Sequence, residues 1–291
     1  MNKLHILPCL DSEEMAQSRK KELDIDRRFA ASLGLSAVDA IQAGFYISES
    51  GEKVAWKEAV EKANASKLSI PPEAILPEPS PTKFSETRIQ VSNETTLGAA
   101  FNLVEQGLNP LALNFANGVE IGGGFLRGAR AQEEVICRSS ALYQTLLNDP
   151  MYEFHRKRQL PDSSDWAILS PNVPVFRLDD GTALEKYWLL NVITCAAPYA
   201  PRVGKEESAQ LLKQRIHRVL AIARAYGYET LVLGAWGCGA FGNDSYQTAS
   251  DFRTALEEDF SGAFSNIVFA ISDWSEERKF LGAFRKVFAS E

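Results

Sequence analysis

The chain has 291 residues, of which 45% are apolar and 24% are charged; these proportions are typical of a globular protein with one large domain, or one domain plus an accessory region. The formal net charge is −7, which argues against a non-specific nucleic-acid-binding protein, because that role needs a basic surface. No stretch approaches the ~20 apolar residues of a membrane span, and the N-terminal apolar run is too short for a secretory signal. We therefore expect no membrane partner.

The four cysteines, Cys9, Cys137, Cys195 and Cys238, are dispersed and form no Cys-x-x-Cys pair. This spacing predicts reduced thiols in a cytoplasmic protein rather than a disulfide framework. Cys238 has no histidine near it in sequence, so we expect a small buried thiol rather than a nucleophile. The three histidines are scattered as well, and the sequence offers no obvious zinc site.

The first part of the chain differs in composition from the rest. Residues 11–65 are rich in Glu, Lys, Arg and Ala, with helical spacing of their apolar residues. Residues 70–82 contain five prolines, which rule out a continuous helix and favour an extended linker. We place a boundary near residue 84, and predict an N-terminal helical accessory region with its linker over 1–84 and the main domain over 85–291.

From residue 85 onward, strand and helix patterns alternate. The predicted elements are, in chain order, a strand over 88–91, a helix over 95–106, a strand over 111–115, a helix over 132–147, a strand over 187–194, a helix over 208–226, a strand over 230–233, a helix over 246–260, a strand over 267–271 and a helix over 276–288. Residues 166–175 are ambiguous, because prolines stand at 171 and 174. The alternation predicts an α/β fold with helices on both faces of a mixed sheet, and ligands at the carboxyl ends of its strands.

Between the second of these strands and the helix that follows it, the sequence combines three features of a ligand site. Asn117 is followed by the triplet Gly122–Gly124, whose backbone can pass close to a ligand and present amides to phosphate oxygens. The run Gln132–Glu134 then places two adjacent carboxylates at the start of the helix. Each piece has an ordinary alternative, since a glycine triplet also suits a surface loop and acidic residues are favoured in a first helical turn.

The carboxylates Glu133 and Glu134 lie about 100° apart around a helix, so both can reach one ligand from different sides. The helix dipole lowers the pKa of a carboxyl at this position, whereas a general acid needs a raised pKa. Mutual repulsion and burial under a substrate act in the opposite direction and could keep one of the two protonated. Arg127 and Arg130, just before the helix, are expected to add local positive charge.

A second glycine-rich loop lies between a strand and a helix and contains Gly237-x-Gly239-x-x-Gly242, a literal match to the dinucleotide fingerprint. The match is weak, because the acidic residue expected about twenty positions later falls inside a predicted helix. Glycine amides ahead of a helix still suit phosphate, and we expect the N-cap among residues 243–245. Phe241 either offers a flat face to a sugar or base, or plugs the core beneath the loop.

Taken together, these motifs resemble the microbial-type poly(ADP-ribose) glycohydrolases, which are macrodomain proteins. The resemblance rests on Asn117, Gly122–Gly124, Gln132–Glu134, the tail Arg138–Tyr143 and Gly237–Phe241. It covers roughly residues 86–291, and the N-terminal helical extension is similar to that family as well. Plain macrodomains share the asparagine and glycine features but lack the Gln-Glu-Glu run. One departure is Phe115, where ordinary macrodomains carry alanine.

The resemblance implies a macrodomain-like three-layer α/β/α sandwich, and a glycosidase that hydrolyses the ribose–ribose bonds of poly(ADP-ribose) to release ADP-ribose from chain ends. It implies Glu134 as the general acid, which protonates the leaving ribose oxygen and then assists the attacking water, and Glu133 as the residue that orients ribose hydroxyls. The substrate-binding residues that it implies are Asn117 for the distal ribose, Phe241 for the terminal ribose, Gln132, and the two loops around the diphosphate, with Gly122, Gly123, Gly124, Gly237, Cys238, Gly239, Ala240 and Gly242. It implies no metal, no cofactor, ADP-ribosylated proteins as further substrates, and a monomer.

Three other functions stay open at this point. A mono-ADP-ribosyl hydrolase acting on modified protein or nucleic acid could use the same pocket and acid. A non-catalytic ADP-ribose reader would keep both loops and Asn117 but would have no need of Glu133 and Glu134. A nicotinamide-dependent oxidoreductase rests on the second glycine loop alone.

Overall fold

Eight of the ten strands that the structure describes form one mixed sheet. The computed structural model describes residues 3–79, 81 and 84–289. The strands are β1 Lys3–Ile6, β2 Phe45–Ile47, β3 Lys53–Ala55, β4 Leu68–Ile70, β5 Glu86–Ser92, β6 Pro110–Ala116, β7 Ala167–Arg177, β8 Ala183–Ala196, β9 Thr230–Leu233 and β10 Asn266–Ala270. The helices are α1 Glu13–Leu23, α2 Arg27–Ala43, α3 Lys57–Ser66, α4 Thr96–Glu105, α5 Gln132–Ser139, α6 Leu142–Leu146, α7 Pro150–Arg156, α8 Ala200–Val203, α9 Lys205–Ala225, α10 Ser245–Glu257 and α11 Leu281–Val287, with a 3-10 helix at Phe125–Arg127. None of these helices is long and apolar enough to cross a bilayer.

The strand order of the large sheet is β1-β5-β10-β9-β6-β8-β7-β4. The strands from β1 to β8 in this order are parallel, and β7 runs antiparallel to both of its neighbours. In the central strand β6, Leu111 and Leu113 pack in one core with α9, α10 and α11, whereas Ala112 packs in a second core with α2 to α6. A sheet with a helical layer and a core on each face confirms the predicted α/β/α fold class.

The structure corrects three of the predicted elements. The helix predicted over 132–147 divides into α5 and α6, because Ser140 has an extended backbone and forms a bridge to Val175 of β7. The ambiguous segment over 166–175 is strand β7, whose register shifts between Ser170 and Val173, around the first of its two prolines. The last helix, α11, begins at Leu281, later than predicted.

The segment before residue 84 is not purely helical. It contains α1, α2 and α3, but also the β2–β3 hairpin and two strands of the large sheet. β1 forms one edge of that sheet beside β5, and β4 forms the other edge beside β7. Strands of three or four residues are too short to show periodicity in the sequence. Residues 71–79 hold no helix or strand, as the prolines predict, residues 80 and 82 lie outside the described residues, and a domain boundary near residue 84 stays a prediction.

Helix α2 lies directly against the loop that joins β6 to α5. A Cβ built on Gly34 of α2 would lie only 2.6 Å from the carbonyl oxygen of Phe125 in that loop. At the start of α2, Arg27 Nε donates to a carbonyl of the same loop at 3.0 Å, and Arg130 Nη1 donates back to Asp24 Oδ1 at 2.7 Å. The N-terminal segment therefore holds the loop after β6 from outside.

Replacement of a glycine by alanine inside a helix ordinarily stabilises a protein by about 1 kcal/mol. At Gly34 we expect the opposite, a loss of about 1–3 kcal/mol, because the added methyl group would meet backbone atoms that cannot move aside. The free energy of unfolding of Gly34→Ala in urea, compared with the wild type, tests this. Asp39→Ala, on the exposed side of the same helix, is the control and should change stability little. Equal or greater stability of Gly34→Ala would contradict the close approach of α2 to the loop.

Candidate active site

The strand ends at one edge of the sheet surround a cavity of about 450 Å³. Its walls are the loops that follow β5, β6, β9 and β10, together with the first turns of α4 and α5. These strands are parallel, so their carboxyl ends meet at this edge, which is where open α/β sheets bind ligands. The volume lies within the range of roughly 300–1,000 Å³ that is usual for small-molecule sites.

Glu133 is held on both carboxyl oxygens by the protein. Oε2 accepts a hydrogen bond from the backbone N of Asn117 at 2.7 Å, and Oε1 accepts a longer one from Asn114 Nδ2 at 3.4 Å. Only 3% of Glu133 is exposed. Burial raises the pKa of Glu133 well above its ordinary value, and the adjacent charge of Glu134 adds to the effect, while the two hydrogen bonds oppose it. Burial therefore favours the neutral form of Glu133.

Glu134 has one carboxyl oxygen fixed and one free. Oε1 accepts from the backbone N of Gly124 at 2.9 Å. Oε2 is buried and has no hydrogen-bond partner among the described residues. The residue lines the cavity. Because a buried polar atom without a partner is costly, Oε2 is suited to a hydrogen bond with a bound ligand.

The glycine triplet bends around the two carboxylates. Gly122 and Gly123 have φ angles of +69° and +60°, in the left-handed region that favours glycine. A Cβ on Gly123 would lie 2.3 Å from Glu134 Oε1 and 2.9 Å from Glu133 Oε2. The amide of Gly123 donates to a carbonyl of the same loop, and the amide of Gly124 donates to Glu134. Two amides of the triplet are thus used within the protein, and their visible role is to position the carboxylates.

Asn117 forms the turn that begins this loop. Its Oδ1 accepts hydrogen bonds from the backbone N of Val119 at 2.9 Å and of Glu120 at 3.0 Å. Its Nδ2 has no partner among the described residues. The carbonyl of Gly118 accepts from His155 Nδ1 at 3.0 Å, so His155 Nε2 must accept the hydroxyl of Ser164 at 2.7 Å. Burial lowers the pKa of His155 to about 4, so the ring is neutral and this tautomer fixes the turn.

Gln132 connects the end of β6 to the start of α4. Its Oε1 accepts from the backbone N of Phe115 at 2.8 Å, and its Nε2 donates to Leu113 O at 2.7 Å and to Thr96 Oγ1 at 3.0 Å. The side-chain amide is therefore engaged within the protein. Gln132 lines the cavity, but what its contacts do is fix the place where α5 begins.

The second glycine loop presents free amides to the cavity. The backbone N–H groups of Gly239, Ala240 and Phe241 make no hydrogen bond within the part of the chain that the structure describes. Gly239 and Ala240 are exposed and line the cavity, and the loop ends at the N-terminus of α10. Successive amides before a helix N-terminus form an anion-binding arrangement.

Asn243 holds the second loop in shape. Its Nδ2 donates to Pro198 O at 2.9 Å and to Gly237 O at 3.1 Å, across the neck of the loop. A Cβ on Gly237 would lie 2.7 Å from that nitrogen, and its φ of +75° also favours glycine. Asp244 is the N-cap of α10, as predicted for residues 243–245. The free amides thus sit on a braced loop rather than a loose one.

Phe241 lies between the core and the cavity, and its contact with a sugar or base stays a prediction. Its ring packs edge-on against Tyr199, with centroids 5.8 Å apart, and contacts the core, but it also lines the cavity. Cys238 is the buried thiol that the sequence predicts. Burial raises its pKa to about 11, so it carries no thiolate at neutral pH.

Arg127 and Arg130 do not supply the free positive charge expected from the sequence. Arg127 pairs with Glu120, and Arg130 Nη1 lies 2.7 Å from Asp24 Oδ1. Both guanidinium groups thus have an acidic partner within the protein, although Arg130 also lines the cavity. Within the described part of the chain, no group of three or more His, Cys, Asp or Glu side chains is arranged to hold a metal ion.

The structure brings most of the predicted site residues to the cavity wall. Those that line it are Asn117, Gln132, Glu133, Glu134, Gly237, Gly239, Ala240 and Phe241. Gly122, Gly123 and Gly124 lie behind the carboxylates, and Cys238 and Gly242 lie in the second loop without lining the cavity. Lining residues that the sequence did not indicate are Thr95, Asp179, Trp236, Ser272, Trp274 and Phe280. The loops after β5 and β10 follow from the rule on strand ends, whereas Asp179, at the tip of the β7–β8 hairpin, has no such signal.

The raised pKa of Glu133 predicts a pH-dependent cost in stability. The pKa of Glu133 in the folded protein lies above the ordinary value of 4.5. The protonated side chain therefore makes its full contribution to the free energy of unfolding below pH 4.5, and this contribution is lost as the pH rises toward the folded pKa. We expect Glu133→Gln, which cannot ionise, to gain stability over the wild type by up to about 1.4 kcal/mol for each pH unit across that window. Urea unfolding from about pH 5 to about pH 8 measures the difference. The exposed replacement Glu105→Gln should show no such trend, and a constant difference for Glu133→Gln would refute the buried titration.

Solved structures of bacterial enzymes share this fold. The poly(ADP-ribose) glycohydrolase from Thermomonospora curvata is 37% identical over 89% of this chain and 99% of that chain, with a TM-score of 0.83. Its complex with the inhibitor ADP-HPD gives the same identity and coverage, with a TM-score of 0.82. The enzyme from Deinococcus radiodurans in complex with ADP-ribose is 42% identical over 70% of this chain and 84% of that chain, with a TM-score of 0.67. No match was found among curated proteins.

The sequence comparison points the same way. The family model for the microbial-type PARG catalytic domain, where PARG denotes poly(ADP-ribose) glycohydrolase, matches residues 35–178, which include α5 and its two carboxylates. The cavity, the carboxylate pair and the near-complete overlap with the T. curvata enzyme agree with that match. The chain belongs to the microbial-type poly(ADP-ribose) glycohydrolase family.

Proposed function

We propose that this poly(ADP-ribose) glycohydrolase uses Glu134 as its general acid. The observation that carries the proposal is Glu134 Oε2, a buried carboxyl oxygen on the cavity wall with no partner among the described residues. A proton on this carboxyl would pass to the leaving ribose oxygen as the ribose–ribose bond breaks, through an oxocarbenium-like transition state. The carboxylate that forms would then accept a proton from the attacking water.

Glu133 is the less suitable acid in spite of its raised pKa. Both of its oxygens accept hydrogen bonds from the protein, whereas Glu134 has one oxygen uncommitted. A neutral Glu133 carries a hydroxyl that can donate to a ribose oxygen, and only its long bond to Asn114 needs to yield. We therefore assign Glu133 to holding ribose hydroxyls, with Asn117 Nδ2 beside it for the distal ribose.

The diphosphate is assigned to the second loop. The free amides of Gly239, Ala240 and Phe241 stand before the N-terminus of α10, an arrangement that suits phosphate oxygens. Phe241 lines the same wall and can pack on the terminal ribose. ADP-ribose in the D. radiodurans structure supports the same ligand here. The triplet Gly122–Gly124 is assigned to positioning, since its amides already serve the protein.

We further propose that cleavage proceeds from chain ends. The cavity of about 450 Å³ has several buried side chains in its lining, among them Leu23, Leu97, Ile136 and Asp179. A cavity of this size is suited to one terminal ADP-ribose unit rather than to several units of a continuing polymer. A preference for polymer over single ADP-ribosyl groups, a monomeric state and a cytoplasmic location stay predictions.

Glu134→Gln removes the proton donor but little volume, so we expect hydrolysis to fall by about 10²–10⁴-fold while ADP-ribose binding is largely kept. The measurement is release of products from poly(ADP-ribose)-modified protein, followed by chromatography, with calorimetric binding of ADP-ribose in parallel. Glu58→Gln, an exposed glutamate of α3, is the matched control and should keep full activity. Normal turnover by Glu134→Gln would exclude it as the acid. Early release of oligomers instead of ADP-ribose would exclude cleavage from chain ends. Release of ADP-ribose from mono-ADP-ribosylated protein alone, with none from the polymer, would favour a mono-ADP-ribosyl hydrolase.

Gly123→Ala tests the positioning role of the triplet. The new methyl group would meet both carboxylates, and we expect activity to fall by about 10²-fold because a displaced acid loses its alignment with the bond. Gly107→Ala is the matched control, since Gly107 has a φ of +78° but open space where the methyl would go. Both variants carry the left-handed strain of about 1–2 kcal/mol, and Gly123→Ala also carries the clash with the carboxylates, so turnover is compared under conditions in which both variants are folded. Equal turnover of the two would contradict the role.

A further inference from the structure

Arg138 lies on α5 one helical turn after Glu134, so the Cβ atoms of the two residues are about 6 Å apart. The residue is 1% exposed. Its Nη2 donates to the backbone O of Asp179 at 3.1 Å, but Nε and Nη1 are buried without a partner among the described residues. A guanidinium that served only to brace the helix would be expected to have its donors satisfied, because burying them unpaired is costly.

Asp179 stands on the other side of Arg138, at the tip of the β7–β8 hairpin. Its Oδ2 accepts from Thr95 Oγ1 at 2.6 Å, while Oδ1 is buried without a partner among the described residues and the residue lines the cavity. Burial raises the pKa of Asp179 to about 6, so the group is largely ionised at neutral pH and poised to change near it.

Charged side chains from several elements surround Arg138 and Asp179. Arg138 interacts with Glu134 of α5, with Arg130 of the loop before α5, and with Asp179 of the β7–β8 hairpin. Arg19 and Glu22 of α1 act on Asp179 with opposite signs. The atoms without a partner among the described residues are therefore Glu134 Oε2, Arg138 Nε and Nη1, and Asp179 Oδ1, which belong to two acidic groups and one basic group. Glu133, next to Glu134 on α5, also faces it.

We propose that Arg138 is a positioning residue of this active site, whose buried charge, opposed by Asp179, balances the charge that Glu134 gains when it donates its proton. The proposal rests on the proposed role of Glu134 as the acid. Arg138 attracts the charge that Glu134 gains, and Asp179, which also attracts Arg138, weakens that effect. Neither residue needs to touch the scissile bond.

This arrangement predicts shifts of opposite sign. Without the charge of Arg138, the charge that Glu134 gains would be left unbalanced, so the fall of kcat on the alkaline side should move upward by about one pH unit. Without the charge of Asp179, Arg138 would act on Glu134 unopposed, and the same limb should move downward. Arg138→Lys keeps the charge and should lie close to the wild type.

The experiment is the pH dependence of kcat on poly(ADP-ribose) for the wild type, Arg138→Gln, Arg138→Lys and Asp179→Asn. Asp180→Asn, the same replacement at an exposed neighbour, is the control. Carbon-13 NMR of the Glu134 carboxyl in the ADP-ribose complex gives the same comparison without turnover. If Arg138→Gln does not fold, Asp179→Asn still decides, because the amide keeps the size of the carboxylate and its oxygen can take the place of Asp179 Oδ2 as the acceptor for Thr95.

Opposite shifts for Arg138→Gln and Asp179→Asn, with none for Asp180→Asn, would support the proposal. Loss of activity without any shift in either the profile or the carboxyl titration, or shifts of the same sign, would overturn it and leave Arg138 as a structural brace. These outcomes do not test whether Glu134 is the general acid, because that role is contradicted only if Glu134→Gln retains turnover.

Discussion

The active site depends on one contact, the return of the loop after β6 onto the carboxylates that begin α5. Two backbone hydrogen bonds form this contact. The backbone N of Asn117 donates to Glu133 Oε2, and the backbone N of Gly124 donates to Glu134 Oε1. The chain can reach this position only because Gly123 has no Cβ, for which there is no room beside the carboxylates. Glu133 and Glu134 are thereby held against different parts of one loop, one with both oxygens bonded and the other with one oxygen left over. The chemical difference between two adjacent glutamates comes from this fold of the backbone.

The segment before residue 84 supports the same loop. Arg130 reaches back to Asp24, Arg27 reaches forward to the loop, and Gly34 lets α2 lie against Phe125. Strands β1 and β4 tie the two ends of this segment to opposite edges of the sheet. Helix α2 therefore belongs to a segment with a strand in the sheet at each end, and it contacts the loop after β6, which would keep that loop in position. The family model, which begins within α2, includes part of this support.

The sequence predicts local features of this protein better than contacts between distant segments. Strand β6, the glycine triplet and the carboxylate pair lie within about twenty residues, so their order along the chain already places them together. Gln132 and Arg138 illustrate the limit. Their partners Thr96 and Asp179 lie 36 and 41 residues away, and only the strand order decides that they meet. The same limit explains why Ser140 could not be predicted to end α5, since its partner Val175 belongs to a strand that the prolines made ambiguous.

Five of the thirteen buried polar side-chain atoms without a hydrogen-bond partner in the described part of the chain lie on or near α5. They belong to Asn114, Glu134, Arg138 and Asp179, and each such atom costs roughly 1–3 kcal/mol. This cost persists because the surrounding contacts leave α5 no alternative position. Gln132 fixes its first residue, the loop amides fix its carboxylates, and Arg177 Nη1 donates to the carbonyl of Arg138 at 3.3 Å. A substrate oxygen that forms a hydrogen bond with Glu134 Oε2 would remove the cost of leaving this buried atom unpaired. A hydrogen bond that is already complete in the bound substrate strengthens binding alone, and it would favour the transition state only by as much as it strengthens while the ribose–ribose bond breaks.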